Sequence, residues 1–146
     1  MAKFIYKMQN ILEVKLKMEE QVKAEFAKAN EVYAMEVKKL ESFVSRKYGY
    51  EEHLRELYKE SLKINEIRST IDAIDKMKIL IEQQILEVNK AAQVVEEVRE
   101  KLNNAMLERK TQEKLREKAF DEFLLEVKAA EDKEVDELVS FKYGNK

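Results

Sequence analysis

From Phe4 to Val44 the apolar residues fall in a single stripe: Phe4, Met8, Ile11, Met18, Val22, Phe26, Ala29, Tyr33, Val37, Leu40, Val44. They are spaced three or four apart, with one gap at Lys15, so this stretch reads as a helix with one dry face. The spacing averages about 3.6 residues per turn, which predicts a gently twisted, almost straight pairing. The stripe runs to Gly49, within Arg46-Lys47-Tyr48-Gly49-Tyr50, and glycine commonly marks a helix end or bend. A short amphipathic stretch follows, with Leu54, Leu57, Tyr58 and Leu62 on one side. Ser69-Thr70-Ile71-Asp72 then matches the capping-box pattern of a hydroxyl followed three residues on by an acid, so a new helix is expected from about Thr70. Its stripe is Ile71, Ile74, Met77, Ile81, Ile85, Val88, Ala92, Val95, Val98, Leu102 and Met106. The pattern thins between Glu108 and Lys118, resumes at Phe120, Phe123, Leu124, Val127, Ala130, Val135, Leu138 and Phe141, and stops at Gly144.

Two long helices with one dry stripe each hide those stripes most simply against one another. The predicted fold is all-α: a single long two-helix antiparallel coiled-coil hairpin over residues 1–146, rod-shaped and nearly straight. Arm one covers about 3–48, the hinge and reversal about 49–69, and arm two about 70–142, some 105 Å at 1.5 Å per residue. A reversal near 65–69 sets residues whose numbers sum to about 135 face to face, with the polar stretch 108–118 opposite 17–27. A reversal at Gly49 leaves 51–64 as a separate short helix, and the pattern alone does not choose between the two.

Composition agrees with this reading. Of 146 residues, 45% are hydrophobic and 40% charged, with two glycines and no proline, cysteine or tryptophan, the profile of long helices. The 28 basic and 30 acidic residues nearly cancel, and no basic stripe able to displace counterions appears, which argues against nucleic acid as a partner. No apolar run approaches the roughly 20 residues that span a bilayer, so no direct membrane insertion is expected. The start of the chain lacks a signal-peptide pattern, and the lack of cysteine suits a reducing compartment. Together these place the chain in the cytoplasm. Residues 1–48 carry net charge +3 and residues 70–146 net −4, which favours association of the arms by tenths of a kcal/mol per exposed pair.

Catalytic chemistry is not indicated. The one histidine, His53, lies on a helix near Glu52 and Glu56 and reads as a solvated side chain. No nucleophile–base pair, Glu-x-x-His metal motif or glycine-rich phosphate loop can be assembled. The expectation is a protein that is not an enzyme and takes no cofactor or metal. Phe43, Tyr48, Tyr50 and Tyr58 cluster in sequence around Gly49. They fit either a small core tying down the bend or a docking surface.

The second arm has more specific features. Ile81-Glu82-Gln83-Gln84, the charged run from Leu107 to Lys118, and Asp132-Lys133-Glu134-Val135-Asp136-Glu137-Leu138 resemble the flagellar export family FliJ. The opening Phe4-Ile5-Tyr6-Lys7-Met8-Gln9-Asn10-Ile11-Leu12 is similar to the start of many members. The resemblance covers essentially the whole chain and rests on the order and spacing of these motifs. It implies a helical hairpin similar to the γ stalk of rotary ATPases. It also implies a role in flagellar type III export, with a hexameric export ATPase, an export-gate membrane protein and export chaperones as partners. Such a protein is cytoplasmic, peripheral at the inner face of the cell membrane, and monomeric when free. Matching through Ile81-Glu82-Gln83 places the gate-facing residues at Met77, Leu80 and Gln84. Ala73 stands where some members carry a bulkier aromatic. The end with both termini would enter the ATPase ring, with Asp136 and Glu137 as contacts. Two other readings fit the residues: a generic coiled-coil scaffold pairing between chains, and the injectisome counterpart of the same stalk.

Overall fold

The helix does not stop at Gly49. In the computed structural model, which describes residues 2–60 and 63–144, α1 runs Gln9–Lys59 and α2 runs Ile64–Gly144. A lone glycine costs about 1 kcal/mol in a helix interior, and the good helix formers on either side outweigh it. Gly49 takes no positive φ, and a Cβ there would meet nothing within 4 Å. The expected hinge at 49–69 is therefore corrected: the chain passes from α1 to α2 between Lys59 and Ile64. Leu62, counted above on the apolar side of that stretch, lies outside the described residues. Ser69 does not cap a helix, for both it and Thr70 are interior to α2. Thr70 Oγ1 donates to the carbonyl of Glu66 at 2.8 Å, a bond typical of threonine within a helix.

The chain divides into two compact units, Val22–Leu102 and the pair Met1–Gln21 with Asn103–Lys146. Each is an antiparallel pairing of α1 with α2. In Val22–Leu102 the core is Val22, Ala29 and Leu57 of α1 against Ile74, Met77, Ala91 and Val95 of α2. Across it His53 faces Glu66, Glu36 faces Gln84 and Glu25 faces Lys101, pairs whose numbers total 119, 120 and 126. In the other unit Lys15 faces Glu108, Gln9 faces Arg116 and Glu19 faces Arg109, totals of 123, 125 and 128. The expected total of about 135 is thus too high, because the reversal comes earlier than 65–69. The polar stretch beginning at Glu108 meets residues 9–19 rather than 17–27.

The seam also has a tighter period than the apolar residues suggested. On α1 the buried and half-buried positions include 12, 15, 19, 22, 26 and 29, then 36, 40, 43 and 47, and finally 54 and 57. On α2 they include 70, 74, 77, 81, 84, 88, 91, 95, 98, 102, 105, 109 and 112. Steps of three and four alternate, the 3.5-residue heptad that winds paired helices left-handed around each other. The period of about 3.6 arose from counting only apolar side chains. Lys15, Glu19, Glu36, Lys47, Gln84 and Arg109 hold seam positions, while Ile11 and Met18, assigned to the stripe above, are 41% and 43% exposed.

Candidate functional site

The three gate-facing residues expected from the resemblance do not share an exposed face. Met77 is buried in the seam, as is Gln84, whose Nε2 donates to the Glu36 carbonyl at 2.8 Å and to its Oε2 at 2.6 Å. Leu80 alone is exposed, at 39%. Met77 and Gln84 are seven residues apart, one heptad, and so occupy equivalent seam positions. Leu80 lies three residues from one and four from the other, on the flank of that seam. Ala73 is half-buried.

The four aromatics around Gly49 are not gathered. Phe43 is half-buried at a seam position, while Tyr48, Tyr50 and Tyr58 are exposed along a continuous helix. No ring contact joins them among the described residues. With no bend at Gly49, there is nothing there for a small core to tie down. His53 has a partner that sequence neighbours did not suggest: its Nε2 lies 3.3 Å from Oε1 of Glu66 on α2.

The aromatic cluster of this chain is elsewhere. Residues 2–8 precede α1, and Phe4 from this stretch meets Phe120 and Phe123 of α2 with ring centroids 5.1 and 5.4 Å away. The Arg116 guanidinium lies 5.6 Å from the Phe4 ring centroid, and Arg116 Nε donates to Gln9 Oε1 at 3.1 Å. The cluster closes the paired part of this unit. Further along the seam Arg109 and Glu19 form a largely buried ion pair. Arg109 Nε and Nη2 donate to the two carboxylate oxygens of Glu19 at 2.6 and 3.2 Å, and Glu19 is only 4% exposed. Hydrogen bonds from Arg109 to Glu19 and then Glu113 raise its pKa above the ordinary value, so the guanidinium stays charged.

Beyond Phe123, α2 continues with no α1 residue opposite, and every residue of Lys128–Gly144 is exposed. Asp136 and Glu137, the expected ATPase contacts, lie on this segment. So do Val135, Leu138 and Phe141, exposed by 56%, 68% and 71%. A shallow groove of about 480 Å³ opens at its base, lined by Ala2 from before α1 and by Phe123, Glu126, Val127, Ala130, Glu131 and Glu134 of α2. Sequence inspection listed the apolar residues of this segment with the rest of the stripe. The signal it passed over is that Glu131 and Glu134 keep a heptad step with Val127, Leu138 and Phe141.

Among the described residues no group of three or more His, Cys, Asp or Glu is placed to hold a metal, and no helix is long and apolar enough to cross a membrane. Comparison with curated proteins and with solved structures gives no match. A family model described as the flagellar FliJ protein matches residues 4–146. Such a match over nearly the whole chain, on a helical hairpin, implies a role in flagellar type III export, and the chain belongs to the FliJ family.

Proposed function

We propose that this protein is a non-enzymatic stalk or adaptor of the flagellar type III export apparatus, working in the cytoplasm at the inner face of the cell membrane. In this reading it binds the hexameric export ATPase, the export gate and export chaperones. The family match over residues 4–146 carries the reading, and a two-helix hairpin suits it. The ATPase contact is assigned to the free end of α2, through exposed Asp136 and Glu137. The gate contact is assigned to the flank bearing Leu80, since its two companions in the expected trio are turned into the seam.

Stimulation of the export ATPase by the full-length chain tests this. Reversing both charges, D136K with E137K, should reduce stimulation at least tenfold at low salt. The difference should shrink above about 0.15 M salt, where the Debye length falls below about 8 Å. Equal stimulation by both chains at every salt concentration would move the ATPase contact off this segment.

A further inference from the structure

We propose that the free end of α2 is a docking strip for a basic amphipathic helix of another protein, one that carries lysine or arginine in its own apolar seam. The inference stands whichever protein supplies that helix, and so goes beyond the export-ATPase reading.

Three observations converge on it. The strip continues an interface that already exists: the α1–α2 seam closes at the Phe4, Phe120 and Phe123 cluster, and the groove beside Phe123 leads directly onto the open segment. Val127, Glu131, Glu134, Leu138 and Phe141 then follow in steps of four, three, four and three. This is the heptad spacing of a coiled-coil seam and extends about 21 Å at 1.5 Å per residue. An unpaired helix of this length is marginal in water, so a partner helix along the strip would order it.

The chemistry of the occupant follows from the two carboxylates in the middle of the strip. Glu131 and Glu134 have no ion-pair or hydrogen-bond partner among the described residues. The same unit already has a glutamate in a seam, Glu19, and there the opposite helix supplies Arg109. A helix covering Glu131 and Glu134 without a cation would leave carboxylates desolvated and unpaired, which costs several kcal/mol. The same strip of a second copy does not supply the cation in either symmetric register. In a parallel pairing Glu131 and Glu134 each meet themselves, and in a fully overlapped antiparallel pairing Glu134 meets Glu134. The segment 124–144 as a whole has six acidic and three basic residues, so self-pairing is repulsive on balance.

The test uses the full-length chain and two labelled synthetic helices of 18 residues, followed by fluorescence anisotropy. Both helices have leucine in a heptad seam; one has lysine at the two central seam positions and the other has glutamate there. The lysine helix should bind the native chain and lose at least tenfold in affinity on E131K with E134K. The glutamate helix should show the reverse preference, and L138A with F141A should weaken both. Circular dichroism should give the same melting curve for the native chain and both variants, because Glu131, Glu134, Leu138 and Phe141 are all exposed. Equal binding of the two helices by native chain and charge-reversed variant would overturn the proposal. So would binding indifferent to L138A with F141A, which would mean bare charge attraction. Self-association in sedimentation equilibrium that is abolished by L138A with F141A would overturn it in favour of a second copy.

Discussion

Residues 70–112 and 124–144 of α2 have much in common: both are helical, heavily charged and striped with apolar residues at steps of three and four. They differ in what lies opposite. Along 70–112 a segment of α1 covers the stripe, and Ile74, Met77, Gln84, Ala91, Val95 and Ala105 are buried. Along 124–144 no residue of α1 lies opposite among the described residues, Ala2 alone lines the groove at its base, and only Val127 is even half-buried. Helix propensity is thus satisfied equally in both, while tertiary stabilisation is present in one. Even the paired part is thinly protected, since among the described residues no side chain is under 2% exposed. Two helices have one shared face and no second layer, so the hairpin depends on each seam residue and on the intrinsic preference of its backbone.

The comparison breaks most directly by substitution on its two sides. Met77→Ala removes a buried side chain, 5% exposed, and should cost about 2 kcal/mol, at the low end for such changes because an open seam can partly collapse. Phe141→Ala removes a larger side chain that is 71% exposed and should change stability by less than about 0.5 kcal/mol. Thermal melts followed at 222 nm decide it. Leu80→Ala belongs with Phe141→Ala if Leu80 is a surface residue available to a partner. A Leu80 penalty as large as that of Met77 would place it in the core and remove it as a gate contact.

A polar seam contact sharpens the same contrast. Arg109→Ala removes both of its hydrogen bonds to Glu19, which is 4% exposed, and should lower the melting temperature by about 5 °C. Lys101→Ala breaks a pair with Glu25 of similar length, 2.9 Å, whose side chains are 58% and 49% exposed, and should move it by about 1 °C at most. If the two variants melt alike, burial of Glu19 does not set the value of its pair, and the argument for a cation opposite Glu131 and Glu134 weakens with it.

These polar seam positions also explain what the sequence made legible and what it did not. Helical class and antiparallel pairing followed from stripes that only a helix produces. The seam period did not, because Lys15, Glu19, Glu36, Gln84 and Arg109 look like surface residues until their cross-partners are known. Apolar neighbours such as Ile11 and Met18 were counted in their place. The reversal was misplaced for a related reason. Gly49 and the Ser69–Asp72 pattern look like punctuation, yet neither interrupts a helix, while Glu60-Ser61-Leu62-Lys63 has no glycine or proline to mark where the chain passes between helices. Of the candidate site residues, Asp136 and Glu137 lie on an open surface, whereas Met77 and Gln84 do not. The resemblance picked out all three gate candidates but did not say that two of them face the seam.

The smallest effect concerns the two glycines, one on each side of the comparison. Gly49 lies inside α1 with no positive φ and nothing within 4 Å of an added Cβ, and the same holds for Gly144 at the end of α2. Alanine fits at both without strain, and at a helix-interior site it restricts the unfolded chain and favours the helix by about 0.5–1 kcal/mol. That gain appears in a global melt only where the local helix forms together with the rest of the fold. Gly49 stands in Val22–Leu102, whose α1 segment is held against α2, so Gly49→Ala should raise the melting temperature by a few degrees. Gly144 ends an uncovered segment whose turns can fray independently of the hairpin, so Gly144→Ala should leave the melt unchanged. A rise of equal size in both would mean that the free end folds cooperatively with the paired helices. No rise at Gly49 would mean that the helix is not continuous there in solution, and would restore a hinge at that position.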